Sequence, residues 1–554
     1  MDSVSLRIVF VVFFLFHLPT VFAQTTNPSQ IEFESAISLL EKGAYAEALQ
    51  KFDRLLYSGF TDKAIHKYRG IAKYKQKDFK GAVEDLDKVR SENDPVVDAM
   101  LGVCKYEFQD WDAARYFLEK AMRAGYKDGK SQLYLGYLYF RDKNYKEAVE
   151  QLTEAEKTEG KETELYISRG ISAYYADDAD LAIKDLEKVI QLGKASLLVY
   201  ETLGLSYAKG NRYSKSLPYL KKADSLSSEN KHVYFQFGNS LSDKKLFKEA
   251  VEAYTKAIAL GYTDAVIYIH RGKAQLKAGG VEESLKDFDL AIKLQPQNVM
   301  AYRSRVSANF IKQDWVRVVT DLAIVNALGS YEPTDWIPAS VAKYELKNYQ
   351  GALDEINLAE IKDNVATTFE GIQYSFNLQK GKCLVALMKF GPALSALNQA
   401  EKEGEKAVDL YIERARAYVG MEQFENAITD LEKAQLSYPK NAKVFYNSAV
   451  IKEELGDFGA AVLDYNKAIL LNPKDALAYY GRSNSKARKG DIREAITDLD
   501  EAIKIDPENA TYYKVRANFH YQMKNKDKAC FDWRKAVEYG DEKARFSINK
   551  YCAK

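Results

Sequence analysis

Seven arginines along the 554-residue chain are each followed, sixteen residues later, by an aspartate. The pairs are Arg69 and Asp85, Arg169 and Asp185, Arg271 and Asp287, Arg305 and Asp321, Arg414 and Asp430, Arg482 and Asp498, and Arg516 and Asp532. A guanidinium fork matches a carboxylate through two parallel hydrogen bonds, so this spacing offers ion pairing rather than proton transfer. An exposed pair of this kind stabilises by only about 0–1 kcal/mol, and its larger effect is to fix the register of the segments it joins. Other reactive side chains are sparse. His66, His232, His270 and His520 have no second histidine or cysteine at metal-ligand spacing. No G-x-S-x-G, H-E-x-x-H or phosphate-loop pattern occurs. The expectation is therefore a protein without catalytic residues, metal or cofactor, and not an enzyme.

Composition narrows the class. Basic and acidic residues number 80 and 79, a formal net charge of +1, which argues against binding nucleic acid by phosphate neutralisation. Hydrophobic residues make up 46% and charged residues 29%, the balance of an ordered chain. Residues 1–23 read as a secretory signal peptide. Arg7 precedes the apolar run Ile8–Phe16, and Val21-Phe22-Ala23 places small residues at −3 and −1 of a cleavage site. Residues 24–28 would be a short flexible N-terminus. No other stretch is apolar enough to span a bilayer, so the mature chain is expected to be secreted or periplasmic, with no integral membrane segment.

The elements that must carry the ion pairs are set by a repeat of about 34 residues. Ala48, Ala82, Ala114, Ala148, Ala182, Ser216, Ala250, Ser284, Val318, Ala352, Ala393, Ala427, Ala461, Ala495 and Ala529 mark position 20 of fifteen units. Position 8 is small in all but the ninth unit, which has Val306, and position 24 is always large and apolar. That pattern describes two antiparallel helices per unit, closely approaching at positions 8 and 20, with position 24 filling the space between them. Asp78, Asp110, Asn144, Asp314, Asn348, Asp457 and Asp491 stand where the second helix needs an N-cap oxygen. Pro296, Pro439, Pro473 and Pro507 stand after second helices. A single unit cannot bury its apolar face, so the units must stack. The arginines occupy position 7 and the aspartates position 23, which makes each pair a link from the first helix to the second within one unit.

The pattern resembles the tetratricopeptide repeat. The best match is Ala442–Pro507, where Gly456-Asp-Phe-Gly-Ala-Ala-Val-Leu-Asp-Tyr-Asn-Lys-Ala-Ile469 precedes Asn472-Pro473. The cleavage context and Ala529-Cys-Phe-Asp-Trp-Arg-Lys-Ala536 are similar to secreted repeat proteins of the Bacteroidetes. The resemblance implies an all-α, right-handed superhelical solenoid of about fifteen helix-turn-helix repeats plus a C-terminal capping helix. Its first helices would line a concave groove. Groove candidates are Ile71, Tyr74, Tyr106, Leu133, Tyr137, Phe140, Ile167, Ile171, Tyr174 and Phe235. Either they form an aromatic groove for a peptide or helix, or neighbouring repeats bury them against one another. The implied partner is a protein or peptide. The implied role is a scaffold or adaptor in an envelope-associated assembly; the alternative is a carrier holding exported polypeptides.

Two irregularities complete the reading. Val306 and Val318 put bulk at both small positions of the ninth unit, Pro333 and Pro338 delay the next helix until after Trp336, and 361–373 is an excess expected to form a longer loop. The expected division is a front block 29–325, an irregular region 326–375, a rear block 334–540 and a cap 541–554. Asp541 is expected to cap a helix over Glu542–Tyr551 that seals the stack. Cys104 and Cys383 occupy small packing positions. Cys530 and Cys552 would face each other across the last repeat and the cap, either bridged, closing a loop of about 22 residues, or as two free thiols.

Overall fold

The computed structural model describes residues 27–159, 162–330, 332, 334–361 and 368–552. The proposed signal peptide, Pro333 and residues 362–367 of the excess lie outside the described residues. Among those described, thirty of thirty-one α-helices form fifteen consecutive pairs, from Pro28–Glu41 with Tyr45–Tyr57 to Ala510–Gln522 with Lys526–Glu538. The chain is an all-α stack of helix pairs, and none of its described helices is long and apolar enough to cross a membrane.

The two helices of each pair are joined by a turn of two or three residues, in which position 15 has a positive φ in all fifteen repeats. It is glycine in four of them, Gly43, Gly279, Gly456 and Gly490, and a side-chain-bearing residue, from Lys77 to Met388 and Lys524, in the other eleven. The left-handed residue closes the first helix with paired bonds: Met388 N–H donates to Val385 O at 2.9 Å and Lys389 N–H to Leu384 O at 2.9 Å. Of the predicted second-helix caps, Asp78, Asp314, Asn348 and Asp457 accept a bond from the third residue on. Asp110, Asn144 and Asp491 make no such bond. Side-chain caps are commoner on the first helices, where eleven of fifteen have one, for example Asp128 accepting from Ser131 N–H.

Within a pair, position 8 faces position 24 directly. A Cβ built on Gly70, Gly102, Gly136, Gly170, Gly204, Gly238, Gly272 or Gly381 would lie 2.5–2.8 Å from the position-24 side chain. The small residue is thus needed to seat that one large side chain, more than to let position 20 approach. The second repeat is two residues shorter; its second helix, Phe79–Leu86, passes into a 3₁₀ turn over Asp87–Glu92.

The chain divides into two compact units, Met1–Tyr262 and Thr263–Lys554. The division is not at the expected 325/334. The region 326–375 lies inside the second unit, and the described part of its excess forms a two-stranded antiparallel hairpin, Thr368–Phe369 with Ile372–Gln373, rather than a plain loop. Phe369 and Tyr374 pack against Val306, Phe310, Val318 and Leu322 of repeat nine and Ala339 and Ala342 of repeat ten. Apolar packing across the expected boundary therefore joins what the prolines were expected to separate. The tenth repeat's first helix begins at Trp336, with Pro338 tolerated in its first turn.

The cap is shorter than predicted. Asp541 accepts from Lys543 N–H, but only Ala544–Ser547 is α-helical, and Ile548–Cys552 forms a π-turn. Ala544, Ile548 and Tyr551 cover Trp533 and Cys530. Cys530 and Cys552 are joined by a disulfide, with Cα atoms 5.7 Å apart. Cys104 and Cys383 are buried free thiols, both pushed up to about 12 by burial.

Met388→Gly removes a side chain from the left-handed region, and thermal unfolding of the variant is expected to show a gain of about 1 kcal/mol. Alkylation of the denatured, unreduced protein is expected to label only Cys104 and Cys383. Reduction should lower the stability of the last repeat by about 3 kcal/mol, read as lost amide protection in Lys526–Glu538.

Candidate functional site

The structure places every one of the seven arginines against the aspartate sixteen residues on. In each, Nε and Nη2 donate to the two carboxylate oxygens at 2.5–3.0 Å. These pairs are not the exposed kind. The aspartate side chains are 0–6% accessible and the arginines 2–21%. Burial pushes the Asp85 carboxyl up, but bonds from Arg69 and Lys73 outweigh it and hold the group below the usual carboxylate range. Burial opposes the charge of Arg169, yet its bonds to Asp185 and Glu156 hold the guanidinium more firmly protonated than usual.

Two further partners were not foreseen from sequence. Nη1 reaches back to position 25 of the preceding repeat: Arg69 to Asp53, Arg305 to Asp289, Arg414 to Asn398, Arg482 to Asn466 and Arg516 to Asp500, at 2.6–3.0 Å. Each of these arginines therefore ties three helices, two of its own repeat and one of the repeat before. In six of the seven repeats the guanidinium also lies 5.4–6.0 Å from the ring of a tyrosine three residues earlier, such as Tyr166 under Arg169. Both partners recur in register with the arginines and were readable from the same alignment of repeats. Where Asp464 has no arginine, Ser448 and Lys452 donate to it at 2.6 and 2.7 Å.

The groove candidates all belong to the first unit, and neighbouring repeats fill much of that face. Tyr74, Leu133, Ile171 and Phe235 are buried. Ile71, Tyr106, Tyr137, Phe140, Ile167 and Tyr174 are half-buried, each packed beside a core cluster except on its outer face. Tyr106 is the hub: its ring lies 4.5 Å from Tyr134, 5.0 Å from Trp111 and 6.5 Å from Tyr137. Tyr174 packs edge-on to Tyr175, which is 56% exposed and stacks on Tyr145 at 4.6 Å. Lys130 stands 4.9 Å over Tyr74, and Arg141 5.0 Å over Trp111. The result is a shallow row of aromatic faces with cations above it.

In repeats eleven to thirteen of the second unit the same face carries charged and polar side chains that pair with one another. Arg416 donates to Glu413 at 3.1 Å and Asn447 at 3.2 Å, and Lys382 to Asp409 at 3.5 Å. Burial pushes the Glu413 carboxyl up against the pull of Arg416 and Lys382. Asn518 accepts from the Trp533 indole at 3.1 Å, and Lys514 pairs with Asp541, so both serve the cap.

A family model described as tetratricopeptide repeat matches residues 100–161, 412–478 and 480–541, and a second of the same description matches 232–260. The chain is a tetratricopeptide-repeat protein. Among curated proteins, it is 23% identical over 172 residues to a DnaJ homolog subfamily C member 7 homolog of Dictyostelium discoideum, covering 28% of this chain and 32% of that one. It is 24% identical over 168 residues to the human protein O-mannosyl-transferase TMTC1, covering 30% of this chain and 19% of that one. The chain thus matches a third or less of the length of these relatives. A solved tetratricopeptide repeat protein from Parabacteroides merdae ATCC 43184 is 16% identical, with 46% of this chain and 96% of that chain covered, at a TM-score of 0.32.

Removing one member of a buried pair strands the other. Asp185→Ala is therefore expected to cost about 3–5 kcal/mol, whereas Arg169→Met combined with Asp185→Leu should recover most of that loss. Chemical unfolding of the two variants beside the parent checks both.

Proposed function

We propose that this tetratricopeptide-repeat protein is an exported, non-catalytic adaptor in an envelope-associated assembly, gripping a partner's peptide or helix on the first-helix face of its first unit. The observation that carries this reading is the row of half-buried aromatics, Tyr106, Tyr137, Phe140 and Tyr174, on consecutive first helices. Rigid aromatic side chains already packed on one side lose little entropy when a partner covers the other. Lys130 and Arg141 beside the row favour a segment that carries acidic residues among its apolar anchors.

Export is supported by the leader chemistry of residues 1–23 and by the Cys530–Cys552 bridge, which an oxidising compartment would preserve. Non-catalytic action is supported by the use of the arginines and aspartates: their donors and acceptors are taken up by one another.

The test is crosslinked capture from intact cells, with identification of the captured proteins. One stoichiometric partner is expected. Tyr106→Ala with Tyr174→Ala should weaken its capture about tenfold or more, while Lys524→Ala, in the turn of the last repeat, should leave capture unchanged. Broad capture of unfolded chains would instead favour the carrier role, and unaltered capture by the double variant would remove the aromatic row from the interface.

A further inference from the structure

Positions 9 and 12 of the first helices carry the aromatic row in the first unit. In repeat nine of the second unit the chain covers those positions, Ser307 and Phe310, itself. We propose that the turn Phe369-Glu370-Gly371 is an internal ligand of this stretch of groove, and that the stretch accepts from a partner a tight turn of the same chemistry: an aromatic side chain followed directly by a carboxylate. This deepens the adaptor reading and rests on it for the existence of a partner.

Two contacts of different kinds hold adjacent residues of the turn. The Phe369 ring meets Phe310, at position 12 of repeat nine, edge to face with centroids 5.1 Å apart. The Glu370 carboxylate accepts from Lys277 Nζ at 2.7 Å, across 93 residues of sequence, and shares a cleft wall with Ser307 at position 9. Burial raises the Glu370 carboxyl, but its polar and cationic surroundings, Lys277 first, outweigh it and keep the group below its ordinary range. An apolar socket beside a cationic one reads a pair of residues in one order only.

The turn is held there by the groove rather than by its own backbone. Among the described residues only Thr368 with Gln373 and Phe369 with Ile372 are paired, and so short a hairpin has no independent stability. Glu370 also sits at φ +50°, a region that disfavours a residue of its kind. The same sockets are therefore open to any turn that presents the same two groups and displaces this one. Beside Glu370 the groove continues as a cleft of about 630 Å³ that reaches Lys273 and an Arg303 already paired with Glu332 and Asp335, with room for the rest of a partner segment.

A tethered copy competes at roughly millimolar effective concentration, so releasing it should unmask binding in trans. The probe is a backbone-cyclised, fluorescein-labelled peptide of residues Thr368–Ser375, followed by anisotropy against the full chain. The variant Phe369→Ser with Glu370→Lys is expected to bind it saturably, and the parent chain at least tenfold more weakly. Adding Lys277→Glu to the variant should abolish binding of that peptide and restore it for a peptide carrying Glu370→Lys. If the double variant loses its helical circular dichroism, Glu370→Gln replaces it, with the same order of affinities expected. No saturable binding to a folded released variant overturns the proposal, as does equal binding by parent and variant. Capture in cells is read through Tyr106 and Tyr174 in the first unit, so failure of the adaptor reading there leaves this measurement standing, and failure here leaves that one standing.

Discussion

The buried guanidinium at position 7 is the constraint on which the rest of the architecture depends. A stack of helix pairs has no long-range sheet or central core to set its geometry; each repeat is positioned only by its neighbours. Apolar side chains tolerate sliding, whereas a two-pronged bond between Arg169 and Asp185 does not. The third prong, from Arg414 to Asn398 or from Arg516 to Asp500, carries that fixed register from one repeat to the next. Because the bonds lie between helices and away from water, breaking them leaves an unpaired charge in a low-dielectric setting, which makes slipped arrangements costly as well as the native one favourable.

This arrangement also accounts for the sparing use of glycine. Position 24 demands a residue without a bulky side chain opposite it, and eight repeats answer with a position-8 glycine. Position 15 demands a left-handed backbone, and most repeats supply it with lysine, glutamine or another residue that is conformationally disfavoured there. The difference is physical. A clash at position 8 would separate the two helices along their length, whereas strain at position 15 is local and is offset by the carbonyl bonds it completes.

Much of this was legible in the sequence. The period, the small and large positions and the coupling of Arg69 to Asp85 and its six counterparts were all visible because fifteen copies can be compared with one another. The tyrosine beneath each of six arginines was equally visible but is an ordinary core residue when read alone. The left-handed turn was hidden because eleven of its residues are not glycine, so a backbone requirement left no compositional trace. The groove divided between the two readings weighed for it: Tyr74 and Leu133 are filled in by neighbours, and Tyr106 and Tyr174 keep one face open. The excess after Glu360 could be counted but not placed, since its position depends on Phe310 and Lys277, 59 and 93 residues from Phe369 and Glu370. A one-dimensional repeat pattern contains no term for such a contact.

The bridge between Cys530 and Cys552 has a mechanical meaning. Tension applied to the backbone beyond Cys552 would pass through the sulfur–sulfur link into the helix Lys526–Glu538, bypassing the segment between the two cysteines, whose sequence separation is 22. That segment could melt without lengthening the load path. A stack of repeats pulled from this end would therefore peel in whole-repeat steps, beginning with the pair Ala510–Gln522 and Lys526–Glu538, rather than by gradual unravelling of its last turns.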